Sequence, residues 1–199
     1  MSSLILIPWA QTDWSISGRL FAQTPLSLNE AGSAQARVWG EQLQEKRLSM
    51  LFASDEQTSR ETAEAIAKPA KIRVKVLDGL EEVDFGLWEG LSEQQLKNRF
   101  PKTYKRWCED PAAVCPPDGE ELPEAAERIA AAVRKIARKA GDTTAGIVLG
   151  PIACAIARCA LEGAELSVLR AMLTNEPVWY EDEVAGRGGD HENRSADAG

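Results

Sequence analysis

Short apolar runs alternate along this chain with segments whose apolar residues recur at helical spacing, and that alternation constrains the fold more than any other feature. Leu4 to Ile7 is the first such run, and Pro8, which has no backbone donor, marks its end. A loop then leads to a helix carrying Ala34, Val38 and Leu43, with Ser27 placed as its N-cap. Met50 to Ala53 reads as a second strand, entering Ser54 and the helix-forming run TSRETAEAIAK, which is expected to end before Pro69. Arg73 to Leu77 alternates as a third strand, and the acidic stretch LEEVDFGLWEGLS after it is a loop broken by Gly86 and Gly90. Ser92 caps a run to Phe100, and the stretch from Lys102 through Cys115 is a helical excursion ahead of a proline-rich crossing. A long helix spans about Leu122 to Ala140, Ile147 to Leu149 is a short buried strand, and Pro151 opens a further helix through Leu161. A late strand lies near Val178 to Tyr180. Such an order predicts an α/β fold with a largely parallel sheet covered by helices on both faces.

At 199 residues, 44% of them apolar, the chain is long enough for one full core and too short for two ordinary domains. The expected division is an α/β domain over 1–180 and a polar tail over 181–199, whose composition cannot offset the entropy of ordering. The formal net charge of -8 argues against nucleic acid and anionic membrane surfaces as partners. No run approaches the roughly 20 apolar residues of a membrane span, and no basic region precedes Leu4, so a cytoplasmic location is expected. The four cysteines, Cys108, Cys115, Cys154 and Cys159, show no CxxC spacing, and the single histidine is His191 in the tail. No metal and no cofactor are therefore expected, and the thiols read as reduced, with Cys154 and Cys159 as small core residues.

In an open parallel sheet ligands bind beyond the carboxyl ends of the strands. Here those ends are Pro8 to Trp14, Ser54 to Thr58, Glu81 to Glu89 and Gly150 to Ile152. The stretch LIPWAQTDW, then GRL and PLSLNEAGSAQA, resembles the opening of the histidine phosphatase (phosphoglycerate mutase-like) superfamily, which reads LIRHGETDWN, GRL, PLSxxGxxQA. FASDEQTSRETAEAIA is similar to that family's SSPLxRAxQTAxxIA, LEEVDFGLWEGLS to its LxEIDFGxWEGLT, PPDGEELPEAAERI to PPGGESxxExxxR, and GIVLGPIACAI to VVSHGGVIR. The resemblance runs from Leu4 to about Tyr180. It implies a three-layer α/β/α sandwich in which one histidine accepts phosphate, a second histidine and two arginines hold the phosphoryl oxygens, and an acid protonates the leaving group.

Position by position, the chain departs from that pattern wherever it calls for a cation or a nucleophile. Pro8 and Trp9 stand for the arginine and histidine of the first motif, Ala10 for its glycine, Thr58 for the arginine of the second, and Gly150 for the last histidine. Only Glu82 matches the family acid. A phosphoryl group carries a charge of about -1.5 to -2, which Glu82, Gln11, Thr12 and Thr58 do not balance. No phosphohistidine chemistry is expected.

Two arrangements follow. In one, the indole of Trp9 fills the volume vacated at Gly150 and turns the site into core. In the other, Trp9, Trp14, Gln11 and Glu82, with Thr12 and Ser54 beside them, line a reshaped pocket for a small non-phosphorylated, neutral or cationic ligand. The functional expectation is a catalytically inactive histidine-phosphatase-like protein with a binding, regulatory or scaffold role, toward such a ligand or a protein partner. Nothing in the sequence selects an oligomeric state, and a homodimer through sheet edges is what the resemblance allows. The alternatives are an enzyme using Glu82 as general acid or base, paired with Asp84 or Glu89, or a weak residual phosphatase with a histidine from a partner chain.

Overall fold

The computed structural model describes residues 2–20, 24–173 and 179–184. Five strands, β1 (Ser2–Pro8), β2 (Met50–Ala53), β3 (Val74–Val76), β4 (Thr144–Leu149) and β5 (Tyr180–Val184), form one sheet in the order β3-β2-β4-β1-β5. All neighbouring pairs are parallel except β1 with β5. The long helices α2 (Glu30–Leu43), α3 (Gln57–Ala70) and α6 (Leu122–Ala140) lie in the crossovers that parallel pairing demands, and a fourth, α7 (Pro151–Glu162), follows β4.

Period-two alternation in the strands sorts the core into two halves. Leu4 and Leu6 of β1, with Ile147 and Leu149 of β4, face the apolar sides of α6 and α7. Ile5 and Ile7, with Val148, face α2 and α3. That is the three-layer sandwich expected. The α6–α7 half extends outward into an aromatic cluster in which Trp88 meets Tyr104 and Trp107 edge-on, with Phe100 tilted against it. Tyr104 and Trp107 come from α5 (Pro101–Glu109), which follows α4 (Glu93–Arg99), capped as expected by Ser92.

Several elements differ from the sequence reading. The N-cap of α2 is Asn29, whose side chain accepts from the Gly32 N–H, while Ser27 accepts from the Gln57 side chain instead. A four-residue helix, α1 (Asp13–Ile16), interrupts the loop after β1. Helix α3 runs through Pro69, because a proline so close to the C-terminus removes only one late hydrogen bond before Lys71 closes the helix in the left-handed region. Strand β4 begins three residues before Ile147, since Ala145 and Gly146 pair with both β1 and β2. A last short helix, α8 (Leu169–Met172), was not anticipated.

The segment from Glu181 does not begin as an unordered tail. Tyr180 to Val184 pairs antiparallel with β1, so ladder hydrogen bonds supply what the composition lacks, and Lys46 pairs with Glu181. The expected strand residue Val178, and the tail beyond Val184 with His191, lie outside the described residues. Among the described residues no helix is long and apolar enough to cross a membrane.

Candidate functional site

The carboxyl ends of β1, β2 and β4 meet the loop after β3, and Pro8, Trp9, Gln11, Thr12, Trp14, Ser54, Thr58, Glu82 and Gly150 lie on or next to these four segments. Pro8 ends β1 opposite Leu149, and the Trp9 N–H continues the ladder onto the Leu149 carbonyl at 2.8 Å. The Trp9 side chain is 3% exposed and packs into the core half under α2 and α3. Ala10 follows it inward, its N–H on Thr62 Oγ1 at 3.0 Å. Thr12 is buried and caps α1, exchanging hydrogen bonds with Ser15. Gln11 presents backbone to α2: its carbonyl accepts from Asn29, and a Cβ on Gly32 would lie 2.0 Å from that oxygen. Trp14 lays its ring over Gly90, where a Cβ would come within 2.9 Å.

Thr58 sits in the first turn of α3, buried, and donates to the Leu26 carbonyl at 2.5 Å. The threonine thus ties the chain entering α2 across α3. Next to it, Ser59 donates to the Val148 carbonyl of β4 at 3.1 Å, and Ser54 is fully buried at the end of β2.

The centre of the site belongs to Glu82. Its carboxyl group is 2% exposed and rests on the first turn of α7. Oε2 accepts from the Ile152 N–H at 2.9 Å, and Oε1 accepts from Ala153 at 2.9 Å and from Val83 at 2.8 Å. The Ile152 and Ala153 N–H groups are orphan donors of a helix N-terminus, which attract negative charge, and Val83 adds a donor from the loop itself. The seat exists because Gly150, the N-cap of α7, has no side chain: a Cβ there would lie 2.3 Å from Oε2 and 2.6 Å from Cδ of Glu82. The expected exchange of volume between Trp9 and Gly150 is therefore not what the structure contains. The space beside Gly150 is taken by Glu82, and the indole is packed elsewhere.

A second carboxyl group adjoins it. Glu56 accepts the Glu82 N–H at 2.6 Å and was overlooked in the sequence, although its place three residues past the end of β2 was a signal. Burial, opposed by its hydrogen bonds, raises the Glu56 pKa. Burial also pushes Glu82 up to about 7, against the pull of its three N–H donors and with a smaller push from Glu56. A guanidinium that feels the Glu82 charge, Arg128 of α6, is bonded to Glu120 and Glu81 and to the carbonyls of Gly79 and Glu81. Asp84 turns back onto the Gly86 N–H and Glu89 holds Thr24, so neither serves as a second carboxylate beside Glu82. Cys154, on the same turn of α7, is no activated thiol: burial and then the Glu82 charge push it up to about 12.

A cavity of about 470 Å³ opens beside this centre, between Thr24 and Pro25 and the start of α3. Asp55, Glu56, Glu61 and Glu64 line it, with Arg60 already paired to Asp55. Of the residues expected to line a pocket, Gln11, Thr12, Trp14, Ser54, Trp9 and Glu82, none borders this cavity. Among the described residues no group of three or more histidine, cysteine, aspartate or glutamate side chains is placed to hold a metal ion.

With this geometry in place, the likeness to known proteins is informative. Residues 4–183 match the family model of the histidine phosphatase superfamily, branch 1. The chain is 27% identical over 167 residues to phosphoserine phosphatase 1 of Hydrogenobacter thermophilus, covering 84% of this chain and 79% of that protein. It is 29% identical over 125 residues to glucosyl-3-phosphoglycerate phosphatase of Mycobacterium tuberculosis, covering 63% of this chain and 56% of that protein. The fold superposes on that of mycobacterial hydrolase 1 with a TM-score of 0.82 at 23% identity, over 90% of each chain. A match that spans nearly every described residue, joined to the same three-layer architecture, places this chain in the histidine phosphatase superfamily.

Proposed function

We propose that this chain is a catalytically silent histidine-phosphatase-fold protein that acts by binding, in a regulatory or scaffold role. One observation carries the reading. The place beside Gly150, at the donor end of α7, is filled by the chain's own Glu82 carboxyl group, and the neighbouring positions hold Pro8, Trp9 and Thr58 in place of cations and nucleophiles. A phosphoryl dianion brought there would meet a buried acid, a second acid at Glu56 and an acid-lined cavity, while Arg128 is already held by Glu81 and Glu120 and Arg60 by Asp55. The relatives' names attach phosphoserine and glucosyl-3-phosphoglycerate to enzymes of this fold, and those substrates are the ones to test.

Glu82 as general acid on another substrate is less well supported. Its protonation state suits the task, but a carboxyl group 2% exposed and held by three backbone donors has no face left for a substrate.

Hydrolysis of phosphoserine and of a generic phosphomonoester decides the matter. Purified protein and its Glu82→Ala variant should both be indistinguishable from buffer. Turnover by the natural sequence that Glu82→Ala abolishes would sink the reading.

A further inference from the structure

Residues 24–28 cross the surface between the loop after β3 and α3 as a stretch with neither helix nor strand. Among the described residues no backbone-to-backbone hydrogen bond holds them. Their ties run to side chains instead. The Thr24 N–H donates to Glu89 Oε1 at 2.8 Å, and the Thr24 hydroxyl group donates to the same oxygen. The Leu26 carbonyl accepts from Thr58, Ser27 Oγ accepts from the Gln57 amide at 2.6 Å, and the Leu28 N–H donates to Glu61 Oε2 at 2.8 Å. Thr24, Pro25 and Ser27 are exposed, and Leu26 and Leu28 are half-buried, so the stretch has solvent on its outer side. On its inner side, Thr24 and Pro25 form one wall of the cavity that Asp55, Glu56 and Arg60 line from the start of α3.

We infer that residues 24–28 are a gating strap: pinned at Glu89, Thr58 and Glu61 it closes one side of the cavity, and it opens into solvent as a unit while α3 and the loop after β3 stay in place. This goes beyond the reading above, since it concerns entry to the cavity, whatever solute the cavity takes.

A segment held by backbone ladders opens only with its helix or sheet, whereas one held by surface side chains opens at the cost of those bonds alone. The elements that carry the pins stay anchored without the strap. Thr58 and Glu61 belong to α3, which Ser59 bonds to β4. Glu89 follows the fully buried Trp88 and donates its N–H to the Gly86 carbonyl. The opening ends at Asn29, whose N–H lies on the Gln11 carbonyl at 3.2 Å and whose side chain caps α2. Between the outer pins the segment is short and is stiffened by Pro25, so movement at one end is felt at the other. Thr58, which stands where the resembled pattern has an arginine, is the central pin. Opening removes the wall that Thr24 and Pro25 supply and widens the approach to Asp55 and Glu56.

Amide hydrogen exchange on the full-length protein, under conditions where opening is at equilibrium, tests this. Thr24 and Leu28 should show the same protection, below that of Asn29 and of Ala63 in α3. Thr58→Val should lower protection at both strap amides by roughly two- to tenfold, the worth of one hydrogen bond. Glu61→Ala removes the pin at Leu28 and should lower protection at Thr24 as well, and Glu89→Ala should in turn lower it at Leu28. Ala63 and Asn29 should be unchanged in all three variants. Loss confined to the end whose pin is removed would overturn the gate, because the ties would then open singly. An equal fall at Ala63, or strap amides in the natural sequence as well protected as Ala63, would overturn it too. Glu61 and Glu89 are not buried, and their two alanine variants decide the matter by themselves should Thr58→Val fail to fold. Turnover plays no part in this measurement, so the gate and the silent-site reading can fail separately.

Discussion

At the scale of single residues, a glycine and a glutamate explain one another. With any side chain at 150 the carboxyl group of Glu82 could not lie where it does, and without Glu82 the first N–H groups of α7 would be buried donors with no acceptor. The arrangement has a consequence for stability. The folded pKa of Glu82 is raised to about 7 from 4.5, so its contribution is fully present below the unfolded value and is lost as pH rises through the folded one. Global stability should therefore decline between about pH 4.5 and pH 7, by on the order of 3 kcal/mol, and stay level above. Glu56 is shifted in the same direction and adds to the slope. Urea midpoints measured across this range should show the decline, and Glu82→Gln should remove most of it. The sequence made Glu82 visible as an acid in the right loop. What it bonds to was hidden, because backbone N–H groups carry no residue identity.

At the scale of elements, local signals were read well where they are self-contained and poorly where a neighbour decides. Ser92 caps α4 and Pro151 opens α7, as their positions in the sequence imply, and both signals are fixed by residues within one turn. Ser27 is as good a cap by type as Asn29. It is taken instead by Gln57 of α3, so a tertiary contact chose the helix start. Asn29 also reaches Gln11 and Asp13 with its amide nitrogen, tying α2 to the segment after β1. Asn29→Ala should cost about 1 kcal/mol by chemical denaturation, while Ser27→Ala should stay within about 0.5 kcal/mol. Strand β5 was misjudged for the same reason. Glu181 and Asp182 have no intrinsic preference for a strand, and only the open edge of β1 gives their backbone partners.

At the scale of the whole molecule, the sheet divides the core into two halves, and the half under α6 and α7 carries the aromatic extension built on Trp88. That ring is fully buried among Phe100, Tyr104 and Trp107, which α5 and the residue just before it supply, so it joins the loop after β3 to the helical excursion. Trp88→Ala should destabilise the fold by about 3 to 5 kcal/mol, seen as a lowered thermal midpoint, with Trp88→Phe costing less. The alternation of apolar runs and helical segments was enough to determine the class of fold, its parallel sheet and its helices on both faces, because a period of two or 3.6 is a property of consecutive residues. The motif order was enough to determine the family. Only the tertiary structure decided which group fills the centre of the site. Trp9 and Gly150 looked like partners in sequence, yet alternation along β1 sends the indole into the α2–α3 half, and the vacancy falls to a carboxyl group from a different loop. Occupancy of a space depends on what several distant segments bring to it together, and no stretch of consecutive residues holds that information.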